Sequence, residues 1–233
     1  MAHPEDLFTT QAELEGLRLD TTGHLERFKD MPGESGPPPR VVAADFRGTG
    51  RVYVASDVDP AVEARIRQLS FVQVWTGDRE LHEALRRTEG NQGRTEYWTY
   101  TPSRADPLKV GSSAQKISSS DERLCDFSDG FFGIAYPDVF VVLEEGAVVA
   151  AAASSREDER SAEAWVFVSP AHRRQGLAQH VARAWLSDAR RRGLVPFYTH
   201  AADNVASRRL ARSLHLSLRF VQAQYAQRPV GAS

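Results

Sequence analysis

The chain has 233 residues, of which 41% are hydrophobic and 26% are charged, a composition typical of a folded globular protein with a sizeable core. The formal net charge of −2 excludes the strong basic excess that favours binding to nucleic acid or to an anionic membrane. A chain of this length forms one large domain or two small ones, and the change in sequence pattern along it favours two.

Three features bear on where the protein works. The single cysteine, Cys125, cannot form an internal disulfide, which suits a reducing compartment. The N-terminus has neither the basic region nor the apolar region of a signal peptide. The most apolar stretch, residues 139–153, is interrupted by charged residues and is shorter than the roughly 20 apolar residues that span a membrane. We therefore expect a cytoplasmic protein with neither nucleic acid nor membrane as a partner.

Residues 1–105 predict a small α+β region. Leucines at helical spacing indicate a helix near the N-terminus, and consecutive prolines indicate a stiff connector after it. Asp59 followed by Pro60 is typical of a helix N-cap and first helical residue. In chain order, the predicted elements are a helix within 1–30 that includes Leu7, Leu14, Leu17 and Leu25, the connector at 31–39, strands at 41–46 and 51–55, a helix from Asp59, a strand at 71–75 and a helix at 78–87.

A long polar segment follows at 88–121, and such segments are usually functional or disordered. Its exception is an aromatic cluster at 97–100, which alternates like an edge strand. We expect Tyr97, Trp98 and Tyr100 to pack in the core or on a strand, and one wall of a substrate pocket is the alternative.

Residues 106–233 predict a second domain in which strands and helices alternate. A helix at 177–192 would bury Leu177, Val181 and Trp185 on one face and end before Gly193. The predicted elements are a strand pair at 139–143 and 147–153, a charged loop at 154–160, a strand at 163–168, the helix at 177–192, a strand at 195–199, a helix at 206–214 and a strand at 218–225.

A short basic loop with one glycine, Gly176, joins the strand at 163–168 to the helix at 177–192. The first amides of a helix lack partners within the helix and carry partial positive charge, so they attract anions. Gly176 has no side chain to keep a phosphate from the backbone, and Arg173 and Arg174 add full charges. This strand–loop–helix predicts a pyrophosphate-binding site.

Two motifs in this part of the chain resemble those of one family. The loop lacks the three glycines of a dinucleotide fingerprint and the Gly-Lys-Ser/Thr of a nucleoside triphosphate loop. Its Arg173-x-x-Gly176-x-Ala178 instead resembles the acetyl-CoA loop of the GNAT superfamily of acyltransferases. Further on, in the family's order and spacing, comes a stretch that resembles its second cofactor motif, Asn204-x-x-Ser207-x-x-Leu210-Ala211-x-x-Leu214.

The resemblance covers the chain from about Asp138 to Arg228 and reaches back to Lys109 at most. It is closest to the branch whose second motif runs Asn-x-x-Ser-x-x-x-Ala-x-x-Leu-Gly-Phe. His215-Leu216 replaces the usual Gly-Phe, so the turn into the last strand is expected to differ. Ala211 stands where many members have a tyrosine, proposed to protonate the leaving thiolate, so that proton donor is missing or comes from elsewhere.

The resemblance implies an α/β (α+β) fold of the GNAT type, in which helices flank a central mixed, mostly antiparallel sheet. It implies acetyl-CoA as the acyl donor, with the pantetheine in a gap where the strand at 163–168 splays from the strand at 195–199. The residues expected to bind acetyl-CoA are Val166, Phe167, Val168, Arg173, Arg174, Gln175, Gly176, Leu177, Ala178, Asn204 and Ser207.

Glu163 is the candidate catalytic residue. An amine must lose a proton before it attacks, a carboxylate is the usual aid, and the family often keeps a glutamate at the start of this strand. The alternative is a solvated strand-end carboxylate, because acidic residues precede it at 157–159. His200 is a weaker candidate base, for which we expect packing or substrate lining. The histidines show no metal-ligand spacing, so no metal is predicted.

These features predict an N-acetyltransferase that moves an acetyl group from acetyl-CoA to a primary amine of a small molecule, amino-acid-like or antibiotic-like, by direct attack in a ternary complex. Residues 1–105 are the expected acceptor side, and a homodimer is one option for the assembly. Two alternatives stay open. One is a protein or peptide N-acetyltransferase, and the other is an acyl-CoA-binding module without catalysis, which the missing tyrosine suggests.

Overall fold

The computed structural model describes residues 3–27, 38–89, 92–103, 114–128, 132 and 137–227. The helices are α1 (Pro4–Leu14), α2 (Pro60–Gln68), α3 (Phe71–Thr76), α4 (Arg79–Glu89), α5 (Leu177–Arg191) and α6 (Val205–Ser213). The strands are β1 (Leu17–Leu19), β2 (His24–Arg27), β3 (Val41–Asp45), β4 (Gly50–Ala55), β5 (Gln92–Thr101), β6 (Gln115–Ser118), β7 (Asp138–Glu144), β8 (Ala147–Glu157), β9 (Ser161–Val168), β10 (Val195–Ala201) and β11 (Ser217–Gln227). Within the described ranges, no helix is long and apolar enough to cross a membrane.

Internal contacts divide the chain into two compact units. The first unit consists mainly of residues 100–199 and 204–217, and the second mainly of residues 2–99, 200–203 and 218–233. Some positions named from the sequence lie outside the described residues, namely most of the connector at 31–39, the domain boundary at 105–106, Lys109 and Arg228.

The first unit is built on a mixed sheet with the strand order β10-β9-β8-β7-β6. β10 and β9 are parallel, whereas each following pair is antiparallel. The predicted class, a mixed and mostly antiparallel sheet with helices, is confirmed.

α5 covers one face of this sheet because its apolar side chains recur at helical spacing. Val181, Trp185 and Ala189 are buried in a cluster that includes Ala162 of β9. Trp185 Nε1 also donates a hydrogen bond to Ser154 Oγ at 3.1 Å, so its buried polar group is satisfied. The predicted helix and its inward face are confirmed.

The other face of the sheet has its own core. Phe127, Phe132 and Phe167 pack there with the residues of β7 and β8 whose side chains point away from α5. The Phe127 and Phe167 rings meet edge to face, with centroids 5.3 Å apart. Consecutive residues of β9 therefore project to two different environments, Phe167 to this cluster and its neighbours Val166 and Val168 to α5.

The second unit has the strand order β1-β2-β4-β3-β11-β5. β3 pairs antiparallel with both β4 and β11. Phe8 of α1 packs on this sheet through ring contacts with Phe46, Tyr53 and Phe220, at centroid distances of 5.4, 5.5 and 5.2 Å. This N-terminal helix therefore closes the core of the second unit.

The prediction of a strand at 71–75 is wrong, because this segment forms α3. Ser70 Oγ accepts a hydrogen bond from the Gln73 amide at 3.3 Å, and Gln73 Oε1 accepts one from the Ser70 amide at 3.0 Å. This reciprocal capping box nucleates the helix and outweighs the strand preference of the residues inside it.

Three other predictions need smaller corrections. Leu17 and Leu25 lie in β1 and β2 and not in the predicted N-terminal helix, which ends at Leu14. The aromatic cluster at 97–100 belongs to β5, but β5 has β11 on one side and the end of β10 on the other, so it is not an edge strand. The charged loop predicted at 154–160 is shorter, since β8 continues to Glu157.

Candidate functional site

β9 and β10 separate part of the way along their length. Their parallel register joins Val195 to Ser161, Pro196 to Ala162 and Phe197 to Glu163, and it ends at this third pair. On its other side, β9 stays paired with β8 as far as Val168. From residue 164 onward, the β9 edge that faces β10 therefore has backbone groups that the ladder does not use, and such an edge can bind an extended ligand like an added strand.

The open half of β9 carries three of the predicted cofactor-binding residues. Val166, Phe167 and Val168 are each partly buried, and Trp165 beside them is 41% exposed although its side chain is large and apolar. The β9–β10 register thus ends part of the way along β9, as the predicted splay requires, and the residues beyond it present an apolar surface.

The loop that follows β9 is anchored through a histidine. Residues Pro170–His172 form a single 3-10 turn. His172 Nδ1 lies 2.6 Å from Ser169 Oγ, and its Nε2 lies 2.9 Å from Glu144 Oε2. Beyond this anchor, Arg173, Arg174 and Gln175 are exposed. Two guanidinium groups therefore stand at the start of α5.

Gly176 is the N-cap of α5, with φ 79° in the left-handed region, and no side chain caps the helix there. Arg174 shares this left-handed conformation, with φ 66°. A Cβ on Gly176 would meet nothing within 4 Å, so backbone conformation and not crowding accounts for the glycine. The uncapped amides of Leu177 and Ala178, at the positive end of a 15-residue helix, can bind an anion.

The second motif begins α6. Asn204 caps this helix, since its Oδ1 accepts a hydrogen bond from the Ser207 amide at 3.0 Å. The Ser207 side chain lies close to the phenol of Tyr198. Ala211, one turn further along the same helix face, is fully buried. The two predicted anchors of the cofactor thus have local partners here, and their role toward the cofactor stays a prediction.

Glu163 is only 5% exposed. A β-bulge shifts the register of β8 between Ser154 and Arg156, which brings Arg156 directly opposite Glu163. Arg156 Nη1 donates to Glu163 Oε2 at 2.5 Å, and Ser155 Oγ donates to the Glu163 carbonyl oxygen at 3.2 Å. The carboxylate is therefore an ion-paired group at the mouth of the gap and not a solvated strand end.

His200 lies in the second unit and is buried. Its Nδ1 is 2.8 Å from the Ala201 carbonyl oxygen, and its ring lies 6.3 Å from that of Trp98. These contacts fit the expected packing role.

Two residues of the site were not identified from the sequence. Arg156 was assigned to a charged loop, and only the β-bulge brings it to Glu163. Tyr198 follows Phe197, the last residue of β10 that pairs with β9, and it is 5% exposed. Burial raises the pKa of its phenol. Its sequence context is an apolar strand, which by itself indicates a core residue.

A family model described as GNAT acetyltransferase matches residues 118–221. A GCN5-related N-acetyltransferase from Kribbella flavida is 13% identical, with 99% of this chain and 97% of that chain covered and a TM-score of 0.50. A GCN5-related N-acetyltransferase-like protein from Streptococcus suis is 16% identical, with 82% and 84% covered and a TM-score of 0.50. No curated protein matches the chain.

The region matched by the family model contains the gap between β9 and β10, the loop before α5 and the start of α6. The two solved structures share the fold. Residues 118–221, which contain this geometry, therefore resemble a GNAT acetyltransferase domain.

Proposed function

We propose that the protein transfers an acetyl group from acetyl-CoA to a primary amine of a small, amino-acid-like molecule while both are bound. The observation that carries this proposal is the end of the β9–β10 register at Glu163 and Phe197. Beyond that pair, one continuous path leads along the open edge of β9 to the uncapped start of α5.

The residues along this path fit the donor. The backbone groups of Val166, Phe167 and Val168 would hydrogen-bond the amide-containing pantetheine arm as a strand does. The pyrophosphate would bind the amides that follow Gly176, with the loop arginines adding charge. When bound, acetyl-CoA supplies a thioester, an acyl group that is activated toward amines.

Glu163 is the residue proposed to take the proton of the attacking amine. It lies at the third and last pair of the register, so its carboxylate stands where the strands part. An amine is protonated near neutral pH, and its nitrogen has no lone pair to attack with until a base removes that proton. A buried carboxylate at the mouth of the gap can do this directly or through one water.

The ion pair between Arg156 and Glu163 supports an amino-acid-like acceptor. A molecule that carries a carboxylate beside its amine can pair its carboxylate with Arg156 and leave Glu163 to receive the amine. Arg is well suited to this because its guanidinium binds carboxylates in a bidentate manner. The partly exposed Trp165, on the same face of β9, adds an apolar surface for the side chain of such a molecule.

A thiol-release assay with acetyl-CoA tests the proposal across a panel of amines. The panel contains amino acids and their amides, dipeptides, polyamines and aminoglycosides. We expect release with amino-acid-like amines and none with the same compounds after N-acetylation, which serve as matched controls. Acetyl-CoA alone should raise the melting temperature of the protein, since it binds the folded state. The proposal is wrong if acetyl-CoA neither stabilises the protein nor is consumed with any amine.

A further inference from the structure

We propose that His172 is a positioning residue for the cofactor loop, by which we mean residues 173–176. It ties this loop to the turn between β7 and β8 through Glu144, and it thereby holds the loop in the shape that receives the pyrophosphate. The role rests on the proposed function, because it takes the loop to be the pyrophosphate site. It adds a residue that acts on the loop and does not itself bind the cofactor.

Glu144 projects toward the face of the sheet that α5 covers. Phe140 and Val142, the alternate residues before it on β7, are buried in the cluster that includes the apolar side chains of α5. Side chains of a strand alternate between its two faces, so Glu144 points the same way as they do. Its carboxylate therefore lies on the side of the sheet to which the loop before α5 must lead.

Glu144 stands on a short, regular hairpin. It pairs with Ala147 across a two-residue turn, in which Glu145 and Gly146 have φ values of 51° and 83°. Two positive φ values in such a turn are typical of type I′, whose twist matches that of the paired strands. The backbone of Glu144 is therefore fixed by the sheet, and a group bound to its carboxylate is held in a defined place.

Both ring nitrogens of His172 are used. Nε2 lies 2.9 Å from Glu144 Oε2, and Nδ1 lies 2.6 Å from Ser169 Oγ. An ionised carboxylate only accepts hydrogen bonds, so Nε2 carries the proton that it donates to Glu144, and in the neutral ring Nδ1 accepts from the Ser169 hydroxyl. The Ser169 amide donates to the Val149 carbonyl oxygen on β8 at 3.0 Å. The two ends of the turn from Ser169 to His172 are thus held to the same hairpin.

The cofactor loop needs such a support. Residues 173–175 are exposed, and Arg174 has φ 66°, in the left-handed region that residues with a side chain rarely adopt. Gly176 follows with φ 79°. An unfavourable backbone conformation like that of Arg174 persists only where its surroundings impose it. The bridge from His172 to Glu144 supplies a constraint directly before the loop.

The bridge is expected to act on the loop and not on the stability of the whole fold. The side chains of His172 and Glu144 are 28% and 59% exposed. A hydrogen-bonded pair this exposed adds little to the free energy of unfolding. Binding is more sensitive, because a ligand that needs one loop conformation loses affinity in proportion to the fraction of molecules that hold it. Variants of the bridge should therefore fold normally and bind acetyl-CoA less tightly.

A set of variants tests the role through the Kd for acetyl-CoA, measured by calorimetric titration. His172→Leu removes the bridge, and we expect the Kd to rise by about tenfold, as when the competent loop falls to about a tenth of the molecules. His172→Gln keeps an N–H that can reach Glu144, so its Kd should stay within about threefold of the wild type. Glu144→Ala should match His172→Leu, and the double variant should be no weaker than either, because both changes remove one interaction. Glu145→Ala is the matched control, since it removes a carboxylate from the next position of the same turn, and it should bind like the wild type.

Kinetics separate this role from a general loss of structure. His172→Leu should raise the KM for acetyl-CoA and leave kcat at saturation unchanged. The same variant should use S-acetylpantetheine, which has the thioester arm but no pyrophosphate, as well as the wild type does. Hydrogen exchange of the proteins without ligand gives an independent measure. The amides of residues 173–178 should exchange faster in His172→Leu, while those at 181–189, in the body of α5, should keep the wild-type rate.

The outcomes distinguish the role of His172 from the proposed function. A wild type that binds no acetyl-CoA would overturn the proposed function and the role of His172 with it. A wild type that binds acetyl-CoA, beside a His172→Leu protein with unchanged Kd and unchanged exchange of the loop, would overturn only the role of His172. Equal losses with acetyl-CoA and with S-acetylpantetheine would also overturn it, because the effect would not depend on the pyrophosphate. Should His172→Leu fail to fold, Glu144→Ala and its control decide by the same readouts.

Discussion

Phe197 pairs with Glu163 at the last position of the β9–β10 register, and the two strands part immediately after it. This pair determines where a ligand can enter the sheet, and it fixes the faces to which the neighbouring side chains project. The buried pairs before it hold the strands together, while the open edge after it is available for binding.

Gly176 can be tested with a pair of variants that differ only in charge. Asp and Asn both tolerate the left-handed backbone found here, and the surrounding space is open, so both proteins should fold. We expect Gly176→Asp to weaken acetyl-CoA binding by more than about tenfold, because a carboxylate would face the pyrophosphate at the start of α5. Gly176→Asn should stay within about threefold of the wild type. Calorimetric titration gives both values, and equal affinities for the pair would contradict the loop assignment.

Glu163→Gln keeps the size of the side chain and removes the base. We expect kcat to fall by about 10²-fold and the acidic limb of the pH–rate profile to disappear, because that limb reports protonation of the base. Glu157→Gln is the control, since Glu157 lies on β8 and pairs with Arg192. A Glu163→Gln enzyme that keeps the wild-type pH profile would exclude Glu163 from this role.

The Arg156–Glu163 ion pair should matter for stability as well. The side chains of Glu163 and Arg156 are 6% and 24% exposed, so removing one partner leaves the other charge nearly buried. We expect Arg156→Met to lower the free energy of unfolding by about 3 kcal/mol. Adding Glu163→Gln to it should restore most of that loss. Arg79→Met, which breaks an exposed pair with Glu83, should change stability little. Urea denaturation gives the free energy of unfolding of all four proteins. If Glu163→Gln restores none of the stability lost in Arg156→Met, the two side chains are not coupled.

Trp165 provides an optical probe of the gap. It is 41% exposed on the open half of β9, whereas Trp185 is buried under α5. We expect acetyl-CoA to change the tryptophan emission of the wild type, because a ligand along β9 alters the surroundings of this ring. The change should vanish in Trp165→Phe and persist in Trp75→Phe, whose replaced ring belongs to the second unit. An undiminished signal in Trp165→Phe would place the ligand elsewhere.

The turn at Asp20 should contribute to the pH dependence of stability. Hydrogen bonds, chiefly from the His24 amide and also from Thr22, lower the pKa of Asp20 from 3.8 to about 2. Because the folded state holds this carboxylate ionised, its contribution is complete above pH 4 and is lost as the pH falls toward 2. Asp20→Asn should therefore show a shallower loss of stability over this range. Denaturation curves at several pH values give both slopes, and identical slopes would contradict the assignment.

Much of the first unit could be predicted from the sequence because its signals are local. The apolar stripe of α5 and the glycines at both of its ends, Gly176 and Gly193, specify a helix whatever surrounds it. The same is true of the alternating strands β7 to β9. The loop before α5 followed from helix electrostatics once these elements were recognised.

The errors arose where two local signals competed or where pairing decided the outcome. Residues 71–75 are strand formers, yet the capping box from Ser70 to Gln73 makes them helical. The ion pair of Glu163 depends on Arg156, which an extra residue in β8 brings across. No property of Arg156 itself indicates this.

The bulge in β8 has a consequence for how sequences related to this one can diverge. Ser154 points to Trp185 on the α5 side, and two positions later Arg156 points to Glu163 on the other side. The odd count introduced by Ser155 produces this change of face. If a related chain paired here without the bulge, residue 155 would lie opposite the glutamate and the arginine would turn to the α5 side. The site would then lose its arginine although the sequence keeps it. Acceptor preference among such chains could therefore change through the pairing of this strand end alone, without any substitution at the site.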